Sequence, residues 1–256
     1  MTMTLAACGV STQQEVQMGA QYSSEINRQL PLVQDGQVVS YINQLGDRIA
    51  RAGGRGINYT FFVVNSDQVN AFAVPGGYIY INRGLIERAG NLSEVAGVLA
   101  HEVGHVEQRH GVEQMEKMQR ANLGLNLAYV LLGRAPGQLE GAAVNAAGTA
   151  VFAKFSRDDE NEADAVAIPL LLASGNHPNG LVSMFQRLTS LQRTQPSALQ
   201  QWFSTHPTTN ERIEATRAAI SRIPAAQMRN LTTDTNEFQR IKSRLRSMPA
   251  APRSSR

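Results

Sequence analysis

The stretch LAHEVGHVEQRHG, Leu99–Gly111, fixes the centre of any fold this chain can adopt. It sets His101, Glu102 and His105 in the order H-E-x-x-H, among Val95, Val98, Leu99, Ala100 and Val103. An apolar helix of about twenty residues follows, long enough to be buried. Asn91 caps its start, Glu94 stands as a capping-box partner, and Gly111 is its natural stop. Residues four apart on a helix differ by only about 40° around the axis, so His101 and His105 project side by side. His110 falls about 180° from His101 and is expected to be a structural residue at the helix end. The plain alternative is two unremarkable histidines on a surface helix. It conflicts with the apolar flanks, where unpartnered imidazoles are costly. A metal pair is the favoured reading.

A catalytic zinc takes three protein ligands and keeps one position open. Metzincin spacing is excluded, because Gln108 and Gly111 stand where that pattern needs glycine and histidine. His177 and His206 each precede proline and read as residues of turns or helix entries. The segment FSRDDENEADAVAI, Phe155–Ile168, offers carboxylates instead. Glu160 and Asp164 share one helical face, and Glu162 points about 160° away from it. Glu160 suits a metal, and Asp164 suits the free N–H of a ligating histidine. An acidic, solvated helix start accounts for the same residues, so on this segment alone the two readings stand level.

With H-E-x-x-H at 101–105 and SRDDENEAD at 156–164, the chain resembles the HtpX-like and CAAX-prenyl-protease-like family of zinc metallopeptidases, a gluzincin group. It is most similar to the periplasmic, lipoprotein and mitochondrial quality-control members. NAFAVPGGYIYINRGLI (Asn70–Ile86), ASGNHPNGLVSMF (Ala173–Phe185) and STHPTTNERI (Ser204–Ile213) extend the likeness, which covers Glu15 to Leu245. The resemblance implies one Zn²⁺ held by His101, His105 and Glu160, with Asp164 supporting a ligand and Glu102 as general base. It implies that His206 faces the metal site, either stabilising the transition state or binding zinc in a latent enzyme. Arg212 corresponds to the family's arginine near the scissile carbonyl, and Asn70 and Ala71 to the edge strand that pairs with substrate backbone.

Charge excludes one class of partner. The net +3 comes from Arg240, Lys242, Arg244, Arg246, Arg253 and Arg256; the remainder has 18 basic against 21 acidic residues. A nucleic-acid reading has no folded basic surface to rest on. The single cysteine, Cys8 in LAACG, permits no internal disulfide and resembles a bacterial lipobox, though only seven residues precede it. The expectation is a shortened or replaced leader, a native protein lipid-anchored on the periplasmic side (the outer membrane favoured), and a soluble form here.

Residues 1–14 are read as leader, 15–223 as a zinc metallopeptidase domain, 224–247 as a helical extension packed on it, and 248–256 as a frayed basic tail. Helices are expected at 15–30 and 37–51, and near Gly180–Gln192, Asn210–Ser221 and Thr235–Ser247. YTFFVV and GYIYIN read as strands of a small sheet beside the histidine helix, with Asn70–Val74 near its edge. The fold class is therefore α+β, mostly helical. Residues 117–155 read as a helical hairpin, with a mobile lid as second choice; the run Leu127–Leu132 is too short to span a bilayer. His206 is placed in a polar loop. The reading is a zinc endopeptidase acting on misfolded or unassembled envelope proteins. The rival is a chaperone or assembly factor with latent proteolysis, and a purely structural zinc site fits poorly because it has no need of Glu102.

Overall fold

The computed structural model describes residues 9–117 and 154–250. Cys8, most of the expected hairpin between 117 and 155, and the tail beyond 250 lie outside the described residues. Ser11 and Gln14 form a reciprocal capping box that starts α1 (Thr12–Gln29), inside the stretch read as leader. Asp35 caps α2 (Gly36–Ala50) by accepting from the Gln37 and Val38 N–H groups. Val38, Ile42, Leu45 and Ile49 make the buried face of α2.

Three strands follow: β1 (Thr60–Val64), β2 (Ala71–Val74) and β3 (Tyr78–Asn82). β3 is central, parallel to β1 and antiparallel to β2, so β2 is an edge strand. The short helix α3 (Arg83–Arg88), unforeseen in the sequence, leads into α4 (Leu92–Glu107). Every residue of α4 from Leu92 to Val106 is buried. Asn91 does cap α4, but Glu94 does not close the expected box: its carboxylate accepts from the Gly90 N–H at 2.6 Å and from Arg187 Nε at 2.7 Å.

The helices α5 (Arg157–Ala173) and α6 (Asn179–Thr194) pack directly on α4, and two glycines set how closely. A Cβ on Gly104 would lie 2.7 Å from the Ala163 carbonyl oxygen of α5, and one on Gly97 would lie 2.8 Å from Leu181 Cα of α6. Glycine is a poor helix former. Here it lets the α5 backbone reach the histidine face of α4. The remaining helices are α7 (Pro196–Thr205), α8 (Asn210–Ser221) and α9 (Asn236–Ser247). Phe238, Ile241 and Leu245 of α9 join the same hydrophobic core as Ile42, Phe61, Val98, Leu171 and Trp202. Arg83 donates to the Pro249 carbonyl at 2.7 Å, so the first residues of the expected tail are held. The fold is mostly helical α+β with a three-stranded sheet beside the H-E-x-x-H helix. No helix among the described residues is long and apolar enough to cross a membrane.

Candidate active site

His101 and His105 stand one turn apart on α4, their Nε2 atoms 3.1 Å from each other. Behind them the two Nδ1 atoms have separate partners. Asp164 Oδ1 lies 2.8 Å from Nδ1 of His101, which fixes that ring with Nε2 turned to the site. The partner of His105 is a correction to the sequence reading. The helix stops at Glu107, and Arg109 takes φ +62°, a left-handed conformation uncommon for a non-glycine residue. Glu15 Oε2 binds Arg109 Nε at 3.0 Å there. Helical residues resume at 110, and the break brings buried His110 round until its Nδ1 is 2.9 Å from Nδ1 of His105. His110 would lie on the opposite face only if the helix were continuous. Burial pushes the His105 imidazole well below its usual pKa, which leaves it neutral, the form that ligates a metal.

A capping box between Ser156 and Asp159 starts α5 and points its first turns at α4. Glu160 places Oε1 3.4 Å from His105 Nε2 and Oε2 3.6 Å from His101 Nε2. Glu162, 62% exposed, faces away and meets His110 Nε2 at 3.4 Å. Burial alone would raise the Glu160 carboxyl, but His206, His105 and Arg212 hold it well below its usual range. Asp164 is also held low: Arg212 and His101 outweigh its burial.

His206, the residue that ends α7, completes the group. Its Nδ1 is 2.9 Å from Glu160 Oε1 and 3.4 Å from His101 Nε2. Ligand atoms of His101, His105, Glu160 and His206 all lie within 4.8 Å of one another. The separations between neighbouring donor atoms are 2.9–3.6 Å, those to Glu160 shared between its two oxygens, so the four residues could meet one metal ion. Three nitrogens and one carboxylate oxygen are also zinc's usual donors. Next to them Glu102 is fully buried, both its oxygens lack a hydrogen-bond partner among the described residues, and burial pushes its carboxyl up. Its Oε1 is 3.6 Å from His206 Nε2, which is itself without a hydrogen-bond partner among the described residues. Unpaired buried charge of this kind is costly without a cation or substrate group to meet it, so the residues fit a divalent metal.

Arg212 is buried beside the same carboxylates. Its Nε and Nη2 donate to Asp164 at 2.5 and 2.9 Å, Nη1 donates to Glu160, and the guanidinium lies 4.5 Å over the Phe185 ring. With its donors so engaged, it orients two carboxylates. Asn70 is buried just before edge strand β2, with its Oδ1 unpartnered among the described residues; Ala71 opens the strand. Two aromatic neighbours of the site carried no sequence signal. Phe155 stacks on His105 at 4.0 Å, and Trp202 stacks on His206 at 4.8 Å.

The model of peptidase family M48 matches residues 34–220. A beta-barrel assembly-enhancing protease of Escherichia coli (strain K12) is 34% identical over 254 residues, covering 96% of this chain and 51% of that protein. The metalloprotease YcaL of the same strain is 34% identical over 192 residues, covering 72% of this chain and 74% of its own. The mitochondrial metalloendopeptidase OMA1 of Schizosaccharomyces pombe is 28% identical over 195 residues, or 76% and 56%. The chain thus spans about half the length of the beta-barrel assembly-enhancing proteases it matches. Family match, relatives and a buried metal-donor group agree: the chain belongs to peptidase family M48, whose chemistry is metal-dependent endopeptidase hydrolysis.

Proposed function

We propose that this chain is a zinc endopeptidase in which His101, His105 and Glu160 hold the metal, Glu102 is the general base and His206 controls access. The observation that carries the reading is the buried four-donor group with Glu102 beside it, whose oxygens have no hydrogen-bond partner among the described residues. Zinc bound there would polarise a peptide carbonyl and make water acidic enough to deprotonate near neutral pH. The protein's own groups do the rest. Glu102 takes a proton from water and returns it to the leaving amine. Asp164 and His110 fix the two histidine rings, and Arg212 fixes Glu160 and Asp164. As an edge strand, β2 would pair with an extended peptide, and Asn70 Oδ1, without a hydrogen-bond partner among the described residues, would accept one of its N–H groups.

With His206 joined to the other three donors, four protein ligands would fill a tetrahedral metal, and hydrolysis would need one position vacated. His206 is the candidate to leave, since it ends a helix and is followed by Pro207. This closed arrangement is also what favours the second reading, a binding or assembly factor whose proteolysis is latent. The names of the relatives support substrates among envelope proteins under assembly, β-barrel proteins included, and a periplasmic setting. Lipid attachment at Cys8 belongs to the same proposal.

Glu102→Gln distinguishes the readings. It should retain zinc and bound protein substrate while losing cleavage of casein by at least ~10²-fold, as removal of a general base does. Cleavage unchanged in Glu102→Gln would sink the assignment of the base. Wild type that binds envelope proteins but cleaves none, even when His206 is replaced by alanine, would favour the assembly factor.

A further inference from the structure

Trp202 is the chain's single tryptophan, fully buried on α7, and its carbonyl accepts the His206 backbone N–H at 2.8 Å. Its ring lies against the His206 imidazole, with centroids 4.8 Å apart and planes 30° from parallel. The indole N–H meets no acceptor among the described residues. A buried N–H without a partner is unfavourable, so core filling alone would be better served by an aliphatic side chain such as leucine. What distinguishes this indole is the broad face it turns to His206. We propose that Trp202 is a positioning residue: its face holds the His206 imidazole against the metal donors and sets how readily that ring leaves them. The proposal rests on the reading above that His206 can join the metal's donor set.

The physics is simple. His206 Nδ1 meets Glu160 and His101 with its ring against Trp202 at 4.8 Å and Phe155 at 5.5 Å, Trp202 being the nearer and more nearly parallel face. Swinging the imidazole away uncovers the indole and forfeits the stacking. α7 is also anchored at its other end, where Val69 N–H, one residue before Asn70, donates to the Ala198 carbonyl at 2.8 Å. The helix that carries the latch therefore touches the backbone leading into the β2 edge.

The test uses the whole chain, with zinc as the only ligand. Zinc titrated into metal-free wild type should change the emission of the single tryptophan. His206→Ala, lacking the stacked ring, should start from a different emission and lose most of that change. The zinc-edge X-ray spectrum should show three imidazoles in wild type. Fewer are expected on average in Trp202→Leu, where release of His206 should be favoured about two- to tenfold. Trp202→Phe, which keeps an aromatic face, should restore the wild-type number. Three imidazoles in Trp202→Leu, with only its melting temperature lowered, would overturn the latch and leave the role of His206 intact. Two imidazoles in wild type would overturn both. If Trp202→Leu does not fold, the emission comparison decides: identical emission and zinc response in wild type and His206→Ala overturns the proposal.

Discussion

Among single side chains, the groups behind the metal donors matter nearly as much as the donors. Glu160→Ala should lose most bound zinc, because it removes a donor from the centre of the group. Glu162→Ala should keep it, since Glu162 is exposed and, among the described residues, meets His110 rather than the donor group. His110→Ala should weaken zinc affinity by about 10–100-fold without abolishing binding, the usual cost of losing a ligand's hydrogen-bond partner. Equilibrium competition with a chromogenic chelator measures all three; unchanged affinity in His110→Ala would mean His105 needs no support. The spacing of His101, Glu102 and His105 was readable because helical periodicity is regular. Glu160 was not decided by its segment alone and needed the family resemblance. The place of His110 could not be read, since it depends on a left-handed Arg109 with no glycine to announce it. Arg212 was singled out by the resemblance, but nothing local reveals its bonds to two buried carboxylates.

Between elements, the site depends on how closely α5 can approach α4. Gly104→Val adds bulk where even a Cβ would sit 2.7 Å from the Ala163 carbonyl oxygen, an atom of backbone that cannot rotate away. Overpacking of this kind costs about 1–3 kcal/mol. It should also push Glu160 away from the histidines, so the variant should show both a lower melting temperature and a large loss of zinc affinity. Wild-type affinity in a destabilised Gly104→Val would show that the close approach serves packing only. At this scale α1 and α2 were legible as amphipathic helices, and α6, α8 and α9 were placed as later helices. α3 and α7 were not, being short, although Pro196 at the first position of α7 was a usable start signal. α5 runs on through Pro169, which a propensity reading would take as an end.

Across the whole molecule, one core spans α2, the sheet and the later helices, a second cluster around Phe72 and Tyr80 takes Tyr22 and Ile26 of α1, and charge ties α1 on further. Burial alone would raise the Glu15 carboxyl. Its bidentate pairing with Arg55 at 2.7 Å, the Gly76 N–H and Arg109 hold it below its usual value. A carboxylate depressed in the folded state adds stability above its unfolded pKa of about 4.3, and that stability is lost as pH falls through the lower folded value. Urea unfolding followed from pH 7 to pH 3 should therefore show a loss below about pH 4.3. Glu15→Gln should start less stable at pH 7 and lose less on acidification; an identical acid slope would exclude Glu15 as its source. None of this cluster was anticipated, because Glu15, Arg55, Gly76 and Arg109 are far apart in sequence and each is ordinary by itself.

The most direct measurement is metal removal and return. Chain stripped of metal by a chelator and exchanged into metal-free buffer should not cleave casein. One equivalent of zinc per chain should restore cleavage in wild type and leave Glu160→Ala inactive. Cleavage by the stripped chain, or equal restoration in Glu160→Ala, would contradict the claim that these residues hold the metal on which hydrolysis depends.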